Sequence, residues 1–360
     1  MTEDERFMRE AIALARTVQE ASPNPRVGAV VVRDHRVIGR GAHRGAGTAH
    51  AETVALGGID ATGATLYVTL EPCSFSGRTP PCAPAVVAAG IARVVAGMED
   101  PDGRVRGRGF ATLTEAGVEV TVGVLEDVAR RINIPFIHQR STGLPFLVLK
   151  LALTLDGRLA ARDGSSRWIT SPETRVLVHE ERARSDAILV GSGTVITDNP
   201  SLSVRHVDAV RQPIRVVVDA RGRVPASAAL FASTDDDPVI VATTDSSSHD
   251  VQTSWKEAGA EVLVLERSDE GVDLRHLLRV LGSRDLLQVY CEGGAALATS
   301  LMKQDLVDRL HLHYGPKIVG GDGPSIANLG VETMADAMGW TTTEVARVGG
   351  DLLVTLERGS

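Results

Sequence analysis

Apolar positions recur along this chain with two periods, and the periods alternate. Phe7, Met8, Ala11, Ile12, Ala15 and Val18 repeat at helical spacing and make one apolar face, opened by Thr2 and Glu5 in capping-box spacing. Ser22-Pro23-Asn24-Pro25 ends that helix. Val27–Val32 is a β-branched run that predicts a strand. Asp34-His35 makes a turn, and Arg36–Gly41 is placed to pair back as a hairpin. A helix is expected over Ala49–Leu56, a strand over Thr65–Leu70, a helix over Ala83–Ala89 and a strand over Ala92–Ala96. Gly109–Ala116 and Val118–Val124 repeat the helix-then-strand rhythm, and Glu126–Ile132 predicts a closing helix. Such alternation points to an α/β domain with helices covering a sheet.

The pattern then breaks. Asn133–Pro145 mixes polar residues with Pro135, Gly143 and Pro145 and reads as a connection, with the boundary near 145. A strand over Phe146–Thr154 opens a second series. Its further strands are expected at Ala187–Val190, Ile214–Val218, Val239–Ala242, Val262–Leu265, Leu287–Cys291 and Arg309–Tyr314. Helices are expected near Pro172–Arg184, Leu274–Leu281 and Ala295–Lys303, and polar loops at Asp235–Asp237 and Asp245–Asp250. A length of 360 residues fits two such domains, 1–145 and 146–360.

Composition narrows the chemistry. A net charge of −8 makes the chain a poor non-specific partner for nucleic acid or anionic lipid. Three Trp, three Tyr and six Phe are few for a base-stacking surface. Ala83–Gly97, the longest apolar stretch, is interrupted by Pro84, Gly90 and Arg93 and cannot span a bilayer. The acidic N-terminus carries no signal-peptide pattern, so the expectation is a cytoplasmic protein with neither membrane nor nucleic-acid partners. Three cysteines exclude a disulfide scaffold and leave room for a metal site or a reactive thiol.

Two of those cysteines lie close together. His50-Ala51-Glu52 opens a predicted helix, Cys73 follows Glu71-Pro72 at a strand end, and Cys82 comes nine residues later. An imidazole and two thiolates suit zinc and leave its fourth position to water. Glu52, two residues from His50, can move the water proton without binding metal. This is the H-x-E…P-C pattern of zinc deaminases. The common nucleobase deaminases have Cys-x-x-Cys here. This chain inserts Ser74-Phe75-Ser76-Gly77-Arg78-Thr79-Pro80-Pro81, a loop suited to carry substrate contacts. A non-catalytic zinc-stabilised protein would have no use for Glu52.

The second half offers three signals. Gly191-Ser192-Gly193-Thr194 follows one strand, and Glu292-Gly293-Gly294 follows another and opens a helix. Thr197–Arg205 is a polar loop ending in a cation able to pair with phosphate. None makes the G-x-G-x-x-G fingerprint.

PNPRVGAVVV, TAHAETVAL and EPCSFSGRTPPC resemble the bacterial bifunctional riboflavin-biosynthesis enzymes, diaminohydroxyphosphoribosylaminopyrimidine deaminase / 5-amino-6-(5-phosphoribosylamino)uracil reductase. KLALTLDGRLA, SRWITSPETR, VGSGTVITDNPSLSVR, YCEGGAALATSL and PKIVGG resemble the reductase half of the same family. The resemblance covers about Glu5 to Leu353. It implies a cytidine-deaminase-like α/β/α domain followed by a dihydrofolate-reductase-like α/β domain. It implies one Zn2+ per chain on His50, Cys73 and Cys82, Glu52 as proton shuttle, and pyrimidine or ribose contacts at Asn24 and His43. It implies NADPH contacts at Ala152, Trp168, Thr194, Asp198 and the run Gly294, Ala295, Ala296, Leu297, Ala298, Thr299 and Ser300. Substrate contacts are implied at Ser166, Arg182, Leu202, Arg205 and Glu292, and Lys150 stands beside them as a polar group near the hydride path. The implied substrate is a small phosphorylated pyrimidine, and a homo-oligomer (dimer or tetramer) is expected. One departure stands out: Phe75 and Ser76 replace histidines common in the family. The alternatives are a single-activity paralogue, or another zinc nucleobase or tRNA deaminase with a degenerate second domain.

Overall fold

In a computed structural model the chain divides into two compact units, Met1–Leu144 and Pro145–Ser360. The structure describes residues 1–75, 77, 79–232, 238–326 and 329–359. Ser76, Arg78 and the loop expected at Asp235–Asp237 therefore lie outside the described residues.

The first unit runs α1 (Glu3–Arg16), β1 (Gly28–Arg33), β2 (Arg36–Ala42), α2 (Ala51–Leu56), β3 (Thr65–Val68), α3 (Cys82–Ala88), β4 (Arg93–Ala96), α4 (Arg108–Glu115), β5 (Glu119–Val122), α5 (Glu126–Ile132) and α6 (Ile134–Thr142). The sheet order is β2-β1-β3-β4-β5. β1 and β2 form the expected hairpin, with Asp34 and His35 both at positive φ as a tight primed turn requires. β1 also pairs antiparallel with β3, while β3, β4 and β5 are parallel. Alternate strand residues enter two cores. Val30, Val32, Tyr67 and Val95 meet Phe7, Met8, Ala11 and Ile12 of α1. Ala29, Val31, Leu66, Val68, Val94 and Ala96 meet Ala51, Ala55, Ala83, Val86 and Leu113 of α2, α3 and α4. The capping box at Thr2 and Glu5 is formed from both sides.

The second unit runs β6 (Phe146–Thr154), α7 (Pro172–Arg184), β7 (Ala187–Gly191), α8 (Ser192–Asp198), β8 (Ile214–Val218), β9 (Val239–Thr243), α9 (His249–Glu257), β10 (Glu261–Val264), β11 (Arg267–Ser268), β12 (Gly271–Val272), α10 (Leu274–Ser283), β13 (Gln288–Cys291), α11 (Ala295–Lys303), β14 (Arg309–Gly315), β15 (Trp340–Val348) and β16 (Asp351–Arg358). Its main sheet has nine strands in the order β10-β9-β8-β7-β13-β6-β14-β16-β15. The strands from β10 to β14 are parallel, and β16 and β15 add antiparallel. Of the parallel strands, β7 and β9 read as unbroken apolar runs because both of their faces are covered, whereas β10 and β14 carry polar positions.

Three expectations need correction. Asn133–Pro145 is largely α6: Pro135 stands in the first turn, where its missing N–H costs nothing, and Gly143 closes the helix at positive φ. The polar segment Asp245–Asp250 runs into α9, capped by the Ser248 hydroxyl, which accepts from the Val251 amide. Only Trp255 of α9 is fully buried, so the helix shows little apolar periodicity. The hairpin β15–β16 lies beyond the last expected strand. Its Thr-rich first strand sits exposed at the sheet edge and lacks the apolar run that marks the buried strands. Among the described residues no helix is long and apolar enough to cross a membrane.

Gly28 lets α1 approach β1: a Cβ there would lie 2.0 Å from the Ala11 carbonyl oxygen and 2.7 Å from the Ala15 nitrogen. Gly28→Ala is expected to destabilise the first unit by about 1–3 kcal/mol in urea unfolding. A wild-type midpoint would show that α1 has room to shift.

Candidate functional site

Three segments of the first unit deliver the metal-type donors. His50 is the N-cap of α2, Cys73 follows β3, and Cys82 is the first residue of α3. The ligating atoms of all three lie within 4.8 Å of one another. His50 Nδ1 is 3.2 Å from Cys82 Sγ and 3.5 Å from Cys73 Sγ. The long loop between the cysteines closes on itself: the Cys82 amide donates to Cys73 Sγ at 3.3 Å, and the Ala83 amide donates to the Cys73 carbonyl at 3.0 Å. Nine residues of separation thus end in the same convergence that a shorter spacing would give. Hydrogen bonding from Cys82, opposed by burial and aided by His50, lowers the Cys73 thiol to about 4. The same bond, with burial, raises Cys82. His50 is raised by its hydrogen bond to Cys73.

Glu52, in the first turn of α2, is 4 % exposed, and burial raises its carboxyl to about 7. Asn24 and His43 come to the same place. His43 Nδ1 faces the Ala49 carbonyl at 3.2 Å, which can only accept, so this nitrogen carries the proton. Its Nε2 then accepts from the Asn24 amide at 2.9 Å. The His43 ring meets that of His50 edge-on at 5.0 Å. Thr79, in the inserted loop, places its hydroxyl 3.1 Å from His50 Nε2, a partner that sequence reasoning did not single out. Phe75 is partly exposed beneath the Arg104 guanidinium, 5.4 Å from its ring centre. One imidazole and two sulfur donors, converging with a buried carboxylate that is not among them, fit zinc with one position left open.

The second unit gathers its polar groups where parallel strands end. Lys150 in β6 is adjacent in register to Glu292, which follows β13. Arg182 of α7 grips Glu292 with two bonds, Nε to Oε1 at 2.5 Å and Nη2 to Oε2 at 3.1 Å, and donates Nη1 to the Ser203 carbonyl at 3.0 Å. The two side chains are 11 % and 12 % exposed. Burial alone would raise Glu292, but the Arg182 charge and hydrogen bond hold its carboxyl below the usual range. Burial lowers the Lys150 ammonium, against the pull of Glu292. The Arg205 amide donates to His179 Nδ1 at 3.1 Å, while its exposed side chain is available to an anion. His179 stands three residues before Arg182 on α7, the spacing that could have flagged it.

The other reductase-half residues spread along the same ends. Trp168 is 59 % exposed, with Arg175 4.2 Å above its ring. Ser166 lies two residues before it. Arg167 donates to the Asp198 carbonyl at 3.0 Å. Ala152 lies on β6, half-buried. Thr194 in α8 and Gly294 at the N-cap of α11 are neighbours: a Cβ on Gly294 would lie 3.6 Å from Thr194 Oγ1. Gly294 and Ala296 are exposed and Ala295 half-buried, but Leu297, Ala298 and Thr299 turn into the core and Ser300 is half-buried. The Leu202 side chain is also core, so this residue can offer a ligand only its backbone. Cys291 is a buried strand residue whose thiol is pushed up to about 12 by burial. Two adjacent strand-to-helix turns, both with a glycine cap and no side-chain cap on their first-turn amides, fit a dinucleotide phosphate.

Comparison with known proteins carries both halves together. Residues 1–98 match the cytidine and deoxycytidylate deaminase zinc-binding region, and residues 145–354 match the RibD C-terminal domain. The riboflavin biosynthesis protein RibD of Aquifex aeolicus is 41 % identical over 99 % of this chain and 98 % of its own length. That of Escherichia coli K12 is 40 % identical, over 98 % and 99 %. The solved Acinetobacter baumannii RibD superposes with a TM-score of 0.90 at 36 % identity, covering 99 % of both chains.

The chain belongs to the RibD family. RibD members join a zinc deaminase to an NADPH-dependent reductase in riboflavin biosynthesis, and both halves are present here. The first is cytidine-deaminase-like and the second is the RibD, dihydrofolate-reductase-like, domain. Neither half favours a single-activity paralogue with a degenerate second domain.

Glu292→Gln would leave the Arg182 guanidinium nearly buried without its counter-charge. A loss of about 3–5 kcal/mol in the urea unfolding of the second unit is expected. A loss under about 1 kcal/mol would mean that water already screens the pair.

Proposed function

We propose that this enzyme acts twice on one small phosphorylated pyrimidine. Residues 1–145 hydrolytically remove the 2-amino group of 2,5-diamino-6-ribosylamino-4(3H)-pyrimidinone 5′-phosphate and release ammonia. Residues 146–360 reduce the ribosyl group with NADPH, giving 5-amino-6-ribitylaminouracil 5′-phosphate. The observation that carries the first step is the buried Glu52 carboxyl beside the converged His50, Cys73 and Cys82.

His50, Cys73 and Cys82 would hold zinc, which would supply the Lewis acidity that makes water a nucleophile near neutral pH. Glu52 takes the proton from that water and delivers it first to the ring nitrogen and then to the departing amine. Because it lies inside the fold, Glu52 exchanges that proton with the substrate in preference to solvent. His43, fixed in one tautomer by Ala49 and Asn24, presents a rigid polar wall to the pyrimidine or its ribose.

In the second step Thr194, Asp198 and the first turn of α11 would hold NADPH, which would supply the hydride for the sugar C1′ of the ring-opened imine. The chain's own task is to hold the sugar and its phosphate. Arg205 offers a free guanidinium for the 5′-phosphate, while Arg182, committed to Glu292 and to the Ser203 carbonyl, shapes the adjoining wall. Glu292 accepts hydrogen bonds from sugar hydroxyls, and its carboxylate is kept charged by Arg182 above all and more weakly by Lys150. Trp168, Thr194, Asp198 and the first turn of α11 lie on the side given to the nucleotide. Anion binding is thus local to a few arginines, which suits a chain of net charge −8. Action in the cytoplasm as a homo-oligomer, without nucleic-acid or membrane partners, completes the reading.

Glu52→Gln is expected to lower ammonia release about 10²–10⁴-fold while NADPH oxidation on deaminated substrate continues at the wild-type rate. Ammonia release that survives the substitution would sink the proton-shuttle role. Chelation of zinc is expected to stop ammonia release and leave NADPH oxidation unchanged. If both activities stop, the two sites are not independent.

A further inference from the structure

Glu71 lies three residues past the end of β3, directly before Pro72 and Cys73, and takes no part in the chemistry proposed for either site. It is 3 % exposed, and its side chain meets no cation among the hydrogen bonds and ion pairs described. Instead its carboxylate accepts from four main-chain amides of one distant segment. Oε2 takes Asp100 N at 3.1 Å and Gly107 N at 3.0 Å; Oε1 takes Gly109 N at 2.9 Å and Phe110 N at 3.4 Å. A carboxylate has about four lone-pair sites, and all four are used. The last two amides belong to the first turn of α4, whose N-cap, Gly107, has no side chain with which to satisfy them. Glu71 therefore caps a helix from another part of the chain, and its negative charge lies at the helix end that favours it.

The segment so held touches the metal site from two sides. Gly109 packs against the residue before Cys73 so closely that a Cβ would lie 1.9 Å from the Pro72 carbonyl oxygen. Arg104, in the held loop, lays its guanidinium over Phe75 in the loop between the two cysteines. We infer that Glu71 is a positioning residue for the deaminase half: it clamps the Asp100–Phe110 segment onto the Pro72-Cys73 turn and so fixes the Cys73 sulfur against His50 and Cys82. This rests on the zinc-deaminase reading of the site. Among the described hydrogen bonds the carboxylate meets main-chain amides and none of His50, Cys73 and Cys82.

The test compares the full-length zinc enzyme with Glu71→Gln, which keeps the shape but turns an NH2 toward amides that need an acceptor. Zinc release to a chelating dye is expected to be about 10–100-fold faster than wild type. With zinc restored in excess, kcat/KM for ammonia release is expected to fall, while NADPH oxidation on deaminated substrate, an internal control for folding, stays at the wild-type rate. A wild-type rate of zinc release overturns the inference, even if the unfolding midpoint drops, because Glu71 would then serve stability alone. Gly109→Ala presses the same contact from the other side, its Cβ crowding the Pro72 carbonyl and lying 3.1 Å from Glu71 Oε1; it is expected to speed zinc release too, and it carries the comparison if Glu71→Gln does not fold. A wild-type chain that releases zinc slowly but yields no ammonia would sink the deaminase reading and leave the Glu71 comparison standing.

Discussion

A strand buried on both faces has to stop somewhere, and where it stops its polar backbone must meet other polar groups. Both active sites are made of that constraint. β3 and β4 run through the core of the first unit, and beyond the end of β3 the chain passes through Glu71 to Cys73. β13 lies between β7 and β6 in the middle of the second sheet, and immediately past it stand Glu292, Gly293 and Gly294. Ligands in open α/β sheets bind at these strand ends because backbone groups and helix N-termini converge there and side chains can be held from below.

The same constraint explains why so much charge can be buried at low cost. Glu71 is compensated by four amides, Glu292 by a two-point guanidinium, and His43 by one acceptor and one donor. For Glu71 and Glu292 the partners come from segments far apart in the chain, so the polar group also sets how those segments meet. A buried polar group whose partners are all present costs little and specifies one arrangement; the same group without them would cost several kcal/mol. The rigidity that catalysis needs and the specificity that folding needs thus come from the same bonds.

Much of this was legible in the order of residues. The alternation of periods marked most of the strands and helices of both units, because period two and period 3.6 follow directly from backbone geometry. His50, Glu52, Cys73 and Cys82 could be picked out since metal donors are rare types at telling intervals. What stayed hidden had physical causes. Pro135 reads as a breaker until it is seen to stand in the first turn of α6. Trp255 anchors α9 almost alone, so its periodicity is faint. β15 is an exposed edge strand, where no core demands an apolar run. Glu71, His179 and Thr79 are ordinary polar residues whose partners lie elsewhere in the chain.

The sequence by itself determined the class of each domain and singled out His50, Glu52, Cys73 and Cys82 as candidates, because those depend on residue type and on local spacing. Only the tertiary structure decided which polar groups face one another. It closed the eight-residue cysteine loop so that both sulfurs reach His50, and it paired Arg182 with Glu292 across 110 residues. It also turned Leu202 and much of the run after Gly294 into the core, leaving those positions little but backbone to offer a ligand. Such pairings depend on how sheets stack and where strands end, and no local pattern in a single chain encodes them.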